Sequence, residues 1–217
     1  MRDPGWLINV LVIAATAYLS FVMTLAGWLS GLRKGEAVTL LPLPGTLSRS
    51  LWLNLAFVGL SLVAAIALIY FLWIPIPFSL RPQIEALCEG IGLFLFAAGV
   101  LLVLWARKAL GRMWGISSSR KVKLLPDHQL INAGPYSVTR HPMYAGWLTA
   151  VLGLLLVYRT WILLFLFALN VPAFVGRARL EEKTLAARFG EEWRSYVAQT
   201  GAFLPPVTLG ASRPRRR

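Results

Sequence analysis

The sequence predicts an all-α integral membrane protein of about five transmembrane helices, the last two forming a C-terminal hairpin with a polar pocket at its cytoplasmic mouth. Three observations carry this expectation. The chain of 217 residues is 57% hydrophobic and only 14% charged, where a soluble domain carries roughly 25% charged residues. Its apolar residues gather into long runs almost free of charge. Its basic residues fall almost entirely on one side of the membrane that those runs define.

Trp6 to Trp28 and Leu51 to Trp73 each hold 23 residues without a charge, and Ala86 to Trp105 holds 20 with the single interruption Glu89. A span needs roughly 20 apolar residues at about 1.5 Å rise each, so all three qualify. The first is expected to be a permanent helix and not a cleaved signal, because its apolar core is long and Met1-Arg2-Asp3 is a poor basic leader. Between the first two, Leu41-Pro42-Leu43-Pro44-Gly45 breaks any regular helix. Ile74-Pro75-Ile76-Pro77 ends the second run, since proline removes a donor and restricts its predecessor. Glu85 and Glu89, one turn apart, read as an interfacial face at the outer start of the third helix. Cys88 has no cysteine partner and reads as packing.

The fourth and fifth helices come from Ala145 to Gly176, largely apolar on either side of Tyr158-Arg159-Thr160. That pattern is a helix, a tight turn and a returning helix, with limbs of about sixteen residues, short for full spans. Pro142 suits the first turn of the fourth helix, whose free N–H groups and positive dipole end favour an anion. Pro172 should kink the fifth helix, releasing the carbonyl of Ala168. From Arg177 the pattern turns amphipathic, with a possible break at Gly190, and this segment is expected to lie on the membrane surface or cap the pocket. The hairpin returns Arg177 and Glu181 to the side of Arg140 and His141.

With five spans and an outer N-terminus, all 22 basic residues except Arg2, Arg81 and Arg159 lie inside. This positive-inside bias fixes orientation, so the net charge of +13 needs no nucleic acid. The tail Arg215-Arg216-Arg217 is expected to meet anionic headgroups. The stretch Arg107 to Arg140, with Leu110-Gly111-Arg112-Met113-Trp114, reads as an ordered, functional cytoplasmic loop.

The chemistry available is limited. The two histidines, His128 and His141, lack the spacing of a helical metal site, so no metal is expected. No serine or cysteine sits in a nucleophile elbow, and Gly90 and Gly92 lie in an apolar helix and not after a strand, which excludes a dinucleotide fold. What remains is a pocket for a ligand of mixed charge. Arg140 and Arg177 can hold anions, Glu181 and Glu182 a cation or hydroxyls, and Tyr136 and Tyr144 can stack. An ion-pair network that merely caps the hairpin would use the same residues, and residue type alone does not separate the two.

From about Leu110 to Pro206 the chain resembles the isoprenylcysteine carboxyl methyltransferase family of integral membrane enzymes, related to the phospholipid N-methyltransferases. The resemblance rests on His128-Gln129-Leu130-Ile131, Gly134-Pro135-Tyr136, Arg140-His141-Pro142-Met143-Tyr144, Arg177, Glu181-Glu182, Phe189-Gly190-Glu191-Glu192-Trp193 and Tyr196. It implies S-adenosyl-L-methionine as cofactor, bound by His128, Gln129, Leu130, Ile131, Tyr136, Arg140, His141, Pro142, Met143, Tyr144, Glu181 and Glu182. Arg177 corresponds to the residue that meets the acceptor's carboxylate, and Lys121 falls where a polar cofactor contact can lie.

The expected organisation is helices one to three in residues 1–105, a methyltransferase core in 106–206 and a basic tail in 207–217. The expected function is carboxyl methylation of a lipid-like or prenylcysteine-type acceptor. Phospholipid N-methylation, thiol S-methylation and non-enzymatic lipid binding are the alternatives. The implied partners are membrane lipids and a lipophilic acceptor, with no nucleic acid and no protein partner. A multi-pass membrane location with the cofactor site and C-terminus in the cytoplasm completes the reading.

Overall fold

A computed structural model describes residues 71–113 and 129–206, with isolated helical positions between Trp52 and Ala67. The first apolar run, the loop of residues 31–50, the segment 114–128 with Lys121 and His128, and the tail 207–217 lie outside the described residues, as does the count of five spans.

Every described segment of regular structure longer than a single bridge is helical: α1 Pro82–Leu110, α2 Pro142–Tyr158, α3 Trp161–Phe189 and α4 Glu191–Gln199, with 3-10 turns at Gly111–Met113 and Gly134–Ser137. Helix α1 outruns its expected bounds of Ala86–Trp105 at both ends. Pro82 occupies its first turn, where the missing N–H costs nothing. Arg107 and Lys108 sit in its last turn, where cations suit the negative dipole end. Gly111, at φ +50°, then turns the chain while its N–H bonds the carbonyls of Arg107 and Lys108. Helices α1 and α3 are each 29 residues and apolar enough to cross a membrane, and most of both apolar stretches is uncovered by protein. Helix α2 has 17 residues, a rise of roughly 25 Å.

The tightest contact is α1 on α2, not limb against limb within the hairpin. Gly92, Phe96, Gly99, Val103 and Ala106 make one buried stripe on α1, and Gly146, Ala150 and Gly153 answer it on α2. A Cβ on Gly99 would sit 2.5 Å from both the Gly146 carbonyl oxygen and the Ala150 nitrogen, and one on Gly153 would sit 2.5 Å from the Gly92 carbonyl oxygen. Backbones therefore touch. In lipid, where hydrophobicity does not favour one apolar contact over another, this close approach supplies the attraction.

The hairpin turn falls where the sequence predicts it. Arg159 takes the left-handed conformation, φ 47°, and caps α2 through its N–H to Leu155. The proline-rich segment before α1 is stitched to it: the Ile76 N–H donates to the Arg159 carbonyl at 2.8 Å, and the Trp161 N–H to the Ile74 carbonyl at 3.0 Å. Glu85, expected to be only interfacial, accepts a charged hydrogen bond from Arg159. Helix α3 runs unbroken through Pro172 to Phe189, so the polar segment after Arg177 continues the same helix. It ends at Gly190, φ +53°, as the glycine suggested. Beyond that break the same amphipathic segment continues as α4, which buries Trp193 and Tyr196.

Candidate active site

The site is built where the start of α2 meets the polar half of α3. His141 is the N-cap of α2, 6% exposed, followed by the buried Pro142 at the first helical position. The spacing of four between Arg177 and Glu181 puts them on one face of α3, and Glu182 follows on the adjoining face. Two linked clusters result.

In the first, Glu182 accepts from Arg140 Nε at 2.8 Å and from His141 Nε2 at 3.1 Å. Arg140 also donates through Nη1 to the Thr200 carbonyl. The hydrogen bond from His141, and behind it the Arg140 guanidinium, hold the Glu182 carboxyl down at about 2 against the opposing effect of burial. A carboxylate only accepts, so Nε2 of His141 carries the hydrogen in this network. Glu182 and Arg140 are thus engaged with each other and with the backbone.

In the second, Glu181 Oε1 accepts from the Tyr144 hydroxyl at 2.6 Å and from Arg177 Nε at 2.9 Å. Its other oxygen lies 3.7 Å from His141 Nδ1, too far for a hydrogen bond. Tyr144 stacks on Phe174 of α3 at 4.8 Å between centroids and on His141 at 5.6 Å. Around these, Tyr136 and Met143 pack with Val103 and Ala106 of α1, with Ile131 against them. The buried Tyr196 hydroxyl donates to the Tyr136 carbonyl at 2.7 Å, and burial pushes its own ionisation up to about 12. Burial, and then the Glu181 charge, push the Tyr136 hydroxyl up as well.

Arg140, His141, Tyr144, Arg177, Glu181 and Glu182 therefore come together, as expected from the hairpin. Pro142, Met143, Tyr136 and Ile131 form the floor beneath them. Leu130 is half-buried and Gln129 exposed, with His128 outside the described residues. Sequence reasoning missed Phe174, Thr200 and Phe203. Phe174 was findable, being three residues before Arg177 on the same helical face; the other two carry no local signal.

The arrangement offers an anion grip, an acidic acceptor and flat aromatic faces at the end of an apolar hairpin. Residues 90–187 match the family model described as the isoprenylcysteine carboxyl methyltransferase (ICMT) family. Over this segment, a little under half of its length, the chain is similar to that family. Among curated relatives it is 33% identical over 121 residues, 55% of this chain and 49% of the other, to the protein-S-isoprenylcysteine O-methyltransferase of Saccharomyces cerevisiae. It is also 36% identical over 105 residues, 46% of this chain and 44% of the other, to the cobalt-zinc-cadmium resistance protein CzcN of Cupriavidus metallidurans. The matches thus span about half the length of these relatives. The solved eukaryotic intramembrane Ras methyltransferase ICMT shares the fold, with a TM-score of 0.50 at 22% identity, over 89% of this chain and 67% of that one. The ICMT match contains the glycine seam, the hairpin and Arg177–Glu182, and ends before α4.

Proposed function

We propose that the protein is an S-adenosyl-L-methionine-dependent membrane methyltransferase that methylates the carboxylate of a lipid-like or prenylcysteine-type acceptor. The observation that carries this is Glu181, shared at 2.6 and 2.9 Å by Tyr144 and Arg177 beside His141, within a segment matched by the ICMT family model. The donor set suits a zwitterionic cofactor. Glu181 is the acceptor for its cationic or hydroxyl groups, the Tyr144 and Phe174 rings offer flat faces, and the residues of the His141 turn enclose it. Once bound, the cofactor supplies an electrophilic methyl group on a sulfonium.

The acceptor carboxylate, with a pKa near 3.5–4, is already ionised at neutral pH, so no general base is required. Arg177 would release Glu181 and grip the acceptor carboxylate, its planar fork fixing direction as well as distance. Alignment of this kind is worth several kcal/mol. The buried Tyr136, Met143 and Pro142 exclude water from below.

In this reading residues 1–105 supply membrane helices, 106–206 the methyltransferase core and 207–217 a basic tail. The chain is multi-pass, with the cofactor entering from the cytoplasm and the acceptor, free or on a prenylated protein, from the lipid. The test is calorimetric binding of S-adenosyl-L-methionine to detergent-solubilised protein, followed by methyl transfer to a prenylcysteine analogue, a phospholipid amine and a lipophilic thiol. Binding with transfer to the prenylcysteine alone is the expected result. Transfer to the amine or thiol instead moves the acceptor class, and absence of binding leaves a lipid-binding protein.

A further inference from the structure

Thr200 to Leu204 follow α4 and return to the start of α2 without forming an element of their own. The strap is nonetheless tightly held. The Arg140 N–H donates to the Gly201 carbonyl at 2.8 Å and the His141 N–H to the Ala202 carbonyl at 2.9 Å. The Thr139 hydroxyl donates to Ala202 as well, at 3.2 Å, and Arg140 reaches the Thr200 carbonyl. Thr200 is only 5% exposed, and its hydroxyl donates to the Tyr196 carbonyl at 2.7 Å. A Cβ on Gly201 would overlap the Leu204 carbonyl oxygen, so only glycine permits the turn that folds the strap back on itself.

That turn delivers Phe203 to the His141 imidazole, centroids 5.6 Å apart and planes 33° apart. His141 thus meets one ring from its own helix, Tyr144, and one from a segment 62 residues away in sequence. The imidazole has two different duties at its two nitrogens: Nε2 donates to Glu182, and Nδ1 faces Glu181. The outer torsion of a histidine is broad and roughly two-fold, so hydrogen bonds alone leave a ring flip that would put ring carbons where Nδ1 and Nε2 stand and break the bond that keeps the hydrogen on Nε2. The flanking rings oppose it, because the imidazole cannot turn over without swinging edge-on into Tyr144, stacked on it, and Phe203, tilted against it.

We propose that Phe203 is a positioning residue of the cofactor site: from the C-terminal strap it fixes the His141 ring so that Nε2 stays on Glu182 and Glu181 remains presented to the cofactor. This deepens the cofactor reading above and rests on it. Phe203 lies beyond the segment matched by the ICMT family model, residues 90–187, so the site is completed by chain outside that match.

The full chain in detergent is compared as parent, Phe203→Ala, Phe203→Leu and Phe203→Tyr, after circular dichroism confirms equal helix content. Two readouts are taken: calorimetric affinity for S-adenosyl-L-methionine, and the tautomer of His141 by long-range proton–nitrogen NMR on protein labelled with 15N at histidine. With two histidines in the chain, His141→Gln assigns the signals by deletion. The parent and Phe203→Tyr should show a single Nε2–H signature for His141 and agree in affinity within about twofold. Phe203→Ala and Phe203→Leu should show averaged ring-nitrogen shifts and bind about tenfold more weakly. If Phe203→Ala does not fold, Phe203→Leu carries the comparison, since it keeps apolar bulk but not the flat face. Parent-like tautomer and affinity in Phe203→Leu would overturn the proposal, reducing Phe203 to filler. A parent that binds no S-adenosyl-L-methionine would sink the cofactor reading instead, while the tautomer comparison still decides whether Phe203 orients His141.

Discussion

Glu181 is asked to satisfy both Tyr144 and Arg177, and the consequences of that sharing can be measured. Arg177→Lys keeps the charge but loses the two-pronged grip on a carboxylate. Methyl transfer to a prenylcysteine analogue should fall at least tenfold, while cofactor affinity stays within about threefold. Equal turnover in the two proteins would remove Arg177 from acceptor binding. Glu181→Gln should act in the opposite sense, weakening S-adenosyl-L-methionine binding by about 1.5–3 kcal/mol, the usual loss for a charged hydrogen bond, as read by calorimetry. Glu182 has a different role and a different assay. Because its folded pKa is depressed to about 2, its contribution to stability is fully present above the ordinary carboxylate range near 4.3 and is lost as the pH falls through about 2. Thermal unfolding of the parent should therefore become markedly easier between pH 5 and 2. Glu182→Gln should start lower at pH 7 and change less over that interval.

At the scale of elements, the glycine seam between α1 and α2 makes the clearest stability prediction. Gly99→Val pushes a branched side chain into backbone atoms of Gly146 and Ala150 and should cost about 1–3 kcal/mol or more, seen as a lowered melting temperature in detergent. Gly176→Ala meets open space and should leave that temperature unchanged or slightly raised. Among the described residues, helices α1 to α3, the turn at Arg159-Thr160 and the meeting of Arg140, His141, Arg177 and Glu181 were legible in the sequence. Each depends on local signals: apolar run length, a polar interruption, and the spacing of four. The α1–α2 seam was not, because a glycine in an apolar run looks the same whether it faces lipid or another backbone. The Glu85–Arg159 pair and the Phe203 contact were hidden for a related reason. Their partners are 74 and 62 residues apart, and nothing in either local pattern names the other.

At the scale of the whole molecule, the two ends of the bundle are chemically opposite. At one end Glu85 and Arg159 close the hairpin turn against the proline-rich segment; at the other lie Arg107, Arg140, Arg177 and the site. If α1 crosses the membrane once, Phe78 just before it and Arg194 on α4 must face different compartments. Both are well exposed, so each can carry a reporter without disturbing packing. The native Cys88 is first changed to alanine, and single cysteines are then introduced as Phe78→Cys and Arg194→Cys. By the positive-inside bias, a membrane-impermeant maleimide should label Phe78→Cys in intact cells, and Arg194→Cys only after permeabilisation. Labelling of both from the same side would mean that α1 does not cross. If that side were the outer one, the site would face away from the cytoplasm, and a cytoplasmic supply of cofactor could not reach it.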